Sequence, residues 1–267
     1  MSFLKIKDQN FLVLGVSNKK SVGWAVAKTL IEEGANVYLC VRNAEREQSV
    51  SNFAEPKGFF RCDVEKEHEI QALGKTVADA GIQLHGIVHS IAFANYDESF
   101  RKFYDTKRAD YLQASQISAF SLVEICKALK ATLAQQASVV TIGISSTDIT
   151  AENYGYMAPI KASLNTIVRY LAKAFSSDTE VRFNAVNAGP LKTKASAGIP
   201  GYLKNYLYAE KLTYRKRALA VTEVADTVAY LLSPRSSGIN AQAIVVNAGM
   251  DTNYFDSEIV EAATRLD

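Results

Sequence analysis

Cysteine is scarce in this chain, and so are histidine, charge of one sign and long apolar runs. The three cysteines, Cys40, Cys62 and Cys126, are odd in number and widely spaced. In their apolar surroundings they read as reduced thiols in or near a core, and without neighbouring His or Cys they form no metal site. A formal net charge of +2 gives no global argument for nucleic acid. No apolar run approaches the ~20 residues that a membrane span needs. The first residues, Met-Ser-Phe-Leu-Lys-Ile-Lys-Asp, are too short and too polar a stretch for a signal peptide. The expectation is a soluble, cytoplasmic chain that binds neither nucleic acid nor membrane. Repeats and low-complexity tracts are also lacking.

What is present is a core. With 267 residues, 48% of them apolar, the chain is long enough to bury one large domain. Short apolar runs predict strands at Phe11–Gly15, Asn36–Val41, Gly58–Cys62, Gly86–His89, Ser138–Ile142, Val181–Val186 and Ala243–Asn247. Helical patterns at Val22–Glu33, Glu65–Ala80, Ala109–Leu133, Tyr154–Phe175 and Glu223–Leu232 fill the gaps, the last with Thr222 as its expected N-cap. Continuous apolar strands separated by helices imply a parallel sheet covered on both faces. The expected fold class is therefore α/β, doubly wound, with about seven strands in a single domain. Ligands in such sheets sit beyond the carboxyl ends of the strands. The stretch Ala188–Lys211 lacks regular pattern and holds Gly189, Pro190, Gly198, Pro200 and Gly201, which suggests a substrate lid at about 190–215.

The strict G-x-G-x-x-G and P-loop spacings are absent. Instead Phe-Leu-Val-Leu-Gly15 runs into Val16-Ser-Asn-Lys-Lys-Ser21-Val22-Gly23, and a helix follows. Gly15 permits a tight turn, Ser21 offers a hydroxyl and amides, and Gly23 allows close helix approach, so that a diphosphate would rest on the helix N-terminus. The same two glycines also serve in ordinary turns and packing. After the second strand stands Arg42, backed by Arg46, where an acid would favour a free ribose 2′-hydroxyl and an arginine favours a 2′-phosphate. A solvated surface charge is the alternative account of Arg42. Asp63 and Val64 end the third strand, where a carboxylate can accept from an adenine amino group. His89-Ser90-Ile91-Ala92 ends the fourth with small residues that leave room for a ribose, with His89 expected to pack beneath the strand end.

The most informative stretch is Tyr154-Gly-Tyr-Met-Ala-Pro-Ile-Lys161. On one helix, the phenol and the ammonium would share a face about 10 Å apart along the axis. The phenol can donate to a carbonyl oxygen, and the ammonium can hold a ribose and lower the phenol's pKa.

Together these residues resemble the enoyl-(acyl carrier protein) reductases, the divergent branch of the short-chain dehydrogenase/reductase superfamily. The resemblance runs nearly end to end, through Gly15-x5-Ser21-Val22, Cys62-Asp63-Val64, His89 to Ala94, Tyr154-x6-Lys161-Ala-Ser-Leu164 and Ala188-Gly-Pro-Leu-Lys-Thr193. Ordinary short-chain reductases use a three-residue gap, and Met157 stands where their tyrosine would be. The resemblance implies a Rossmann-like oxidoreductase that uses NADPH, favoured by Arg42, or NADH. It implies reduction of the trans-2 double bond of an enoyl thioester in fatty acid biosynthesis, with acyl carrier protein or coenzyme A as the carrier. Tyr154 would hydrogen-bond the thioester carbonyl and Lys161 the nicotinamide ribose. Gly15, Ser21, Val22, Arg42, Asp63, Val64, Ser90, Ile91, Ala92, Lys161, Leu191 and Thr193 would hold the dinucleotide. Ala94, Ile144, Tyr154 and Met157 would line the substrate. The family usually carries a second tyrosine ten residues before the conserved one, where this chain has Ile144; Ser145, Ser146 and Tyr156 are the candidates to compensate.

In the expected lid, Ile199, Tyr202, Leu203, Tyr206, Leu207 and Tyr208 could wall an apolar slot. Lys192, Lys194, Lys204, Lys211, Arg215, Lys216 and Arg217 face one acid, Glu210, and could steer an acidic carrier or coenzyme A phosphates; a solvated helical face would look the same. A homotetramer is also implied, with Ala243–Tyr254 contributing to interfaces. Two other readings stay open: a carbonyl or 3-oxoacyl reductase on the same fold, and a dinucleotide-binding sensor without turnover.

Overall fold

The computed structural model describes residues 3–96 and 102–265. Seven strands form one parallel sheet: β1 (Asn10–Leu14), β2 (Asn36–Val41), β3 (Gly58–Arg61), β4 (Leu84–His89), β5 (Leu133–Ile144), β6 (Arg182–Ala188) and β7 (Ala243–Val246). Their order is β3-β2-β1-β4-β5-β6-β7. All seven expected strands are present, and the doubly wound α/β class stands. The order reverses direction between β1 and β4, where Leu14 pairs with His89, and in such sheets the ligand crevice lies beyond these two strand ends.

Successive side chains of a strand point to opposite faces, and here both faces are covered. Leu12 and Leu14 enter one core, and Phe11 and Val13 enter the other. The first core lies under α3 (Glu67–Asp79), α5 (Ser121–Leu129) and α6 (Met157–Phe175). The second lies under α1 (Val22–Glu32), α2 (Ala44–Ser51) and α8 (Val221–Leu232). One buried cation closes the second layer against the sheet. Arg182 of β6, 8% exposed, donates to the carbonyls of Leu231, Ser233, Ser236 and Ile239 at the end of α8 and in the turn that follows it.

Several boundaries differ from the sequence expectation. The helix expected over Ala109–Leu133 is α4 (Arg108–Ser115), a π turn at Gln116–Phe120, then α5 and a 3₁₀ turn. β5 accordingly starts at Leu133 rather than Ser138. The π turn has a use: it carries Ser118, whose hydroxyl accepts from Phe93 N–H at 2.9 Å, and leads into Ser121 beneath β4. Thr222 is not a cap. Ala220 precedes α8, and its N–H donates to Glu223 Oε2 at 2.7 Å. Arg215 grips the same carboxylate and is the leading cause that holds it down to about 2. The stretch expected to be irregular contains α7 (Tyr202–Leu212), and α9 (Ser257–Thr264) follows β7. Two of the expected steering bases are engaged, Arg215 with Glu223 and Lys216 with Asp256.

Candidate active site

The crevice begins with a glycine that no other residue can replace. Gly15 ends β1 at φ +92°, and a Cβ there would stand 1.9 Å from Ser90 O. A Cβ on Gly23 would lie 3.2 Å from the Gly15 backbone, so the first turn of α1 presses on the strand end. Ser21 is the N-cap of α1; its Oγ accepts from Trp24 N–H at 3.3 Å and donates to Asn18 O at 2.8 Å. Val22 starts the helix, whose leading amides are available to an anion. A backbone cradle at the switch point and a helix N-terminus aimed into it fit the diphosphate of a dinucleotide.

At the far end of the crevice, Arg42 Nε donates to Asp63 Oδ2 at 2.9 Å, and Glu65 stands 3.7 Å from its Nη2. The arginine expected on a 2′-phosphate and the carboxylate expected on adenine therefore hold each other. Arg42 remains 60% exposed at its side chain. Arg46 donates to Ser17 O at 3.3 Å, which ties α2 to the loop after β1. Val64 is buried beside Asp63.

Past β4 the chain continues through Ser90, whose N–H donates to Leu14 O at 3.1 Å, then Ile91, Ala92 and Ala94. Ala92 is exposed and Ala94 half-buried. Lys161 reaches this rim from α6. It is 4% exposed, and its Nζ donates to Ile142 O at 2.8 Å and Ile91 O at 3.4 Å. Burial brings its pKa down to about 8. His89, fully buried, lies 2.9 Å from both Thr141 Oγ1 and Ser121 Oγ. Burial first, and the Lys161 charge second, push it down to about 3, so it stays neutral beneath the strand end. On the other wall Leu191 is buried, and Ser196 Oγ donates to Leu191 O at 2.8 Å while Thr193 N–H donates to Ser196 Oγ at 3.0 Å.

Tyr154 lies near this wall but not on α6. It ends a 3₁₀ turn at Glu152–Tyr154; Gly155 follows with φ +54°, and the helix starts at Met157. The shared helical face expected for Tyr154 and Lys161 does not exist. The phenol's pKa is also not lowered by the ammonium. Burial first, and the Tyr202 phenol second, push it up. Tyr154 is thus a neutral donor at ordinary pH.

Tyr96 OH donates to Tyr154 O at 3.1 Å and Tyr156 OH to Asn95 O at 2.9 Å, and the Tyr96 and Tyr156 rings stack 6.0 Å apart. Met157 is 3% exposed in the first core, and Ile144 ends β5 half-buried opposite Ala188. Two of the three candidates to compensate for Ile144 have committed hydroxyls, since Ser146 Oγ donates to Asp251 Oδ2 at 3.0 Å and Tyr156 to Asn95. A hollow lined by Asn95, Tyr96, Phe103, Asn153, Tyr156 and Pro200 opens at the residues flanking Tyr154. Tyr96 and Asn153 escaped the sequence reading. Each acts through a contact made across the fold, and only the adjacency of Asn153 to Tyr154 hinted at a part.

The family described as Enoyl-(Acyl carrier protein) reductase matches residues 15–251. The chain is 34% identical to the enoyl-acyl-carrier-protein reductase (NADH) FabI of Nostoc sp., over 93% of this chain and 98% of the relative. It is 31% identical to the NADPH counterpart of Staphylococcus aureus, over 92% and 98%. Among solved structures, the enoyl-acyl-carrier-protein reductase (NADH) of Aquifex aeolicus superposes with a TM-score of 0.89 at 27% identity, covering 94% of this chain and 99% of that one. With the crevice, the Tyr-x6-Lys pair and these likenesses in one polypeptide, the chain belongs to the enoyl-(acyl carrier protein) reductase family.

Proposed function

We propose that this chain reduces the trans-2 double bond of an enoyl thioester carried on acyl carrier protein, in fatty acid synthesis. The observation that carries the reading is the buried Lys161 ammonium at the ends of β4 and β5, with the neutral Tyr154 phenol on the turn leading into its helix. A bound reduced nicotinamide supplies the hydride. With the dinucleotide bound, Lys161 would hold the nicotinamide ribose, and Leu191 and Thr193 would touch the nicotinamide carboxamide and the diphosphate. Tyr154 donates to the thioester oxygen, where negative charge grows as the β-carbon is reduced, and so lowers the barrier to the enolate. Arg42 favours NADPH over NADH. The segment 190–215, with α7, acts as the lid over the acyl chain. The protein works as a homotetramer in the cytoplasm; the exposed Phe103, Tyr104, Leu112 and Phe120 on the α4–α5 side, and Tyr254 and Phe255 near the C-terminus, support association.

The test is oxidation of NADPH and of NADH by the purified protein, with a trans-2-enoyl and a 3-oxoacyl thioester side by side. Turnover is expected with the enoyl thioester, and turnover with the 3-oxo compound alone would overturn the reaction assigned. Tyr154→Phe is expected to lower kcat by roughly 100-fold with dinucleotide affinity unchanged. Wild-type turnover in that variant would remove the phenol from the mechanism.

A further inference from the structure

Helix α7 is held unequally at its two ends. It buries one residue, Ala209, while Leu203, Leu207 and Tyr208 are half exposed or more, so packing contributes little to its position. Its far end is fastened to the body of the protein: Asn253 Nδ2 donates to Leu212 O at 2.8 Å, and Tyr214 N–H donates to Ala248 O at 3.1 Å. Its near end follows Gly201, which offers no side-chain cap. There the attachments are three side-chain hydrogen bonds. Tyr202 OH donates to Leu191 O at 2.8 Å, Asn153 Nδ2 donates to Pro200 O at 2.7 Å, and Asn205 Nδ2 donates to Asn153 Oδ1.

Asn153 thus uses both halves of its amide on the same helix end, one before and one within its first turn. It immediately precedes Tyr154 in the same 3₁₀ turn. We propose that Asn153 is a positioning residue, a latch that fixes the near end of α7 to the turn carrying Tyr154, so that covering the site and placing the phenol are one event. The inference rests on the reductase reading above. The amide is required because the position needs a donor and an acceptor together. Aspartate has the same shape but would set a carboxylate against the Pro200 carbonyl, and alanine offers neither group.

The experiment compares wild type, Asn153→Asp, Asn153→Ala, Asn205→Ala and the Asn153→Ala/Asn205→Ala double variant. Readouts are NADPH-dependent reduction of a trans-2-enoyl thioester, NADPH affinity by fluorescence titration, and limited proteolysis within 190–215. Both Asn153 variants are expected to lose roughly 10- to 100-fold in kcat, because a displaced donor costs rate. Their NADPH affinity stays at the wild-type value, and cleavage in α7 quickens. The double variant is expected to be no slower than Asn153→Ala, since both changes break the same contact. Wild-type kcat in Asn153→Ala, or strictly multiplicative losses in the double variant, would overturn the latch. Should the Asn153 variants fail to fold, Asn205→Ala decides from the exposed side of the contact, and unchanged kcat and cleavage there overturn it. Wild-type protein that turns over no thioester defeats the reductase reading instead. The protease arm then still decides the latch, with equal cleavage of variant and wild type counting against it.

Discussion

The Lys161 ammonium sits between two strand-end carbonyls, and burial holds its pKa at about 8. Below that value it is charged and can hold a ribose; above it the charge is lost, so dinucleotide affinity is expected to fall as pH rises through about 8. Stability runs the other way. Between the folded value and the ordinary lysine value, the unfolded chain binds the proton that the folded chain releases, so this group's contribution to stability rises with pH across that window. A fluorescence titration of dinucleotide affinity against pH checks the first effect, and a flat profile would exclude a charged contact from Lys161. Arg42 carries a second expectation. Its guanidinium pairs with Asp63 yet stays largely exposed, and on the proposed reading it would turn toward a 2′-phosphate. Arg42→Gln should weaken NADPH by at least about tenfold more than NADH, as charge-assisted bonds to a phosphate are lost. Equal losses for both cofactors would sink that assignment. Arg42 and Asp63 were legible as candidates from their places after strands, and Lys161 from its spacing to Tyr154. That Arg42 and Asp63 bond to each other was not, because the pairing depends on the alignment of β2 with β3.

At the scale of elements, the strands were the legible part, since parallel strands buried on both faces leave continuous apolar runs between turn residues. Helix boundaries were less so. Tyr154 and Lys161 have helical spacing, but Gly155 at positive φ ends one turn and α6 begins two residues later. Pro159 was the signal for that start, because proline is tolerated in a helix's first turn, where its missing N–H has no partner to lose. The π turn at Gln116–Phe120 left no such mark. Its sequence is helical in composition, and only the bonds from Ser118 to Phe93 and from Ser121 to His89 explain why the extra residue is kept. α7 was missed because its glycine- and proline-rich approach hides an 11-residue helix whose apolar side chains face outward.

The whole molecule is a two-faced sheet with its candidate site beyond the carboxyl ends of the central strands, and that arrangement followed from element order alone. Association did not, since an exposed aromatic and a buried one look alike in sequence. Sedimentation velocity at micromolar concentration is expected to return a particle of about four times 29.2 kDa. A 29.2 kDa species would reject the tetramer. The sheet's other end holds Arg182 among four backbone carbonyls. Carbonyl oxygens do not titrate in water's ordinary range, so acid strong enough to neutralise Glu223 and part it from Arg215 finds nothing to protonate at this seam. At 8% exposure the guanidinium is also screened little by dissolved ions. The join between β6 and the end of α8 is therefore a fastening whose strength is set by geometry and not by the solution around it.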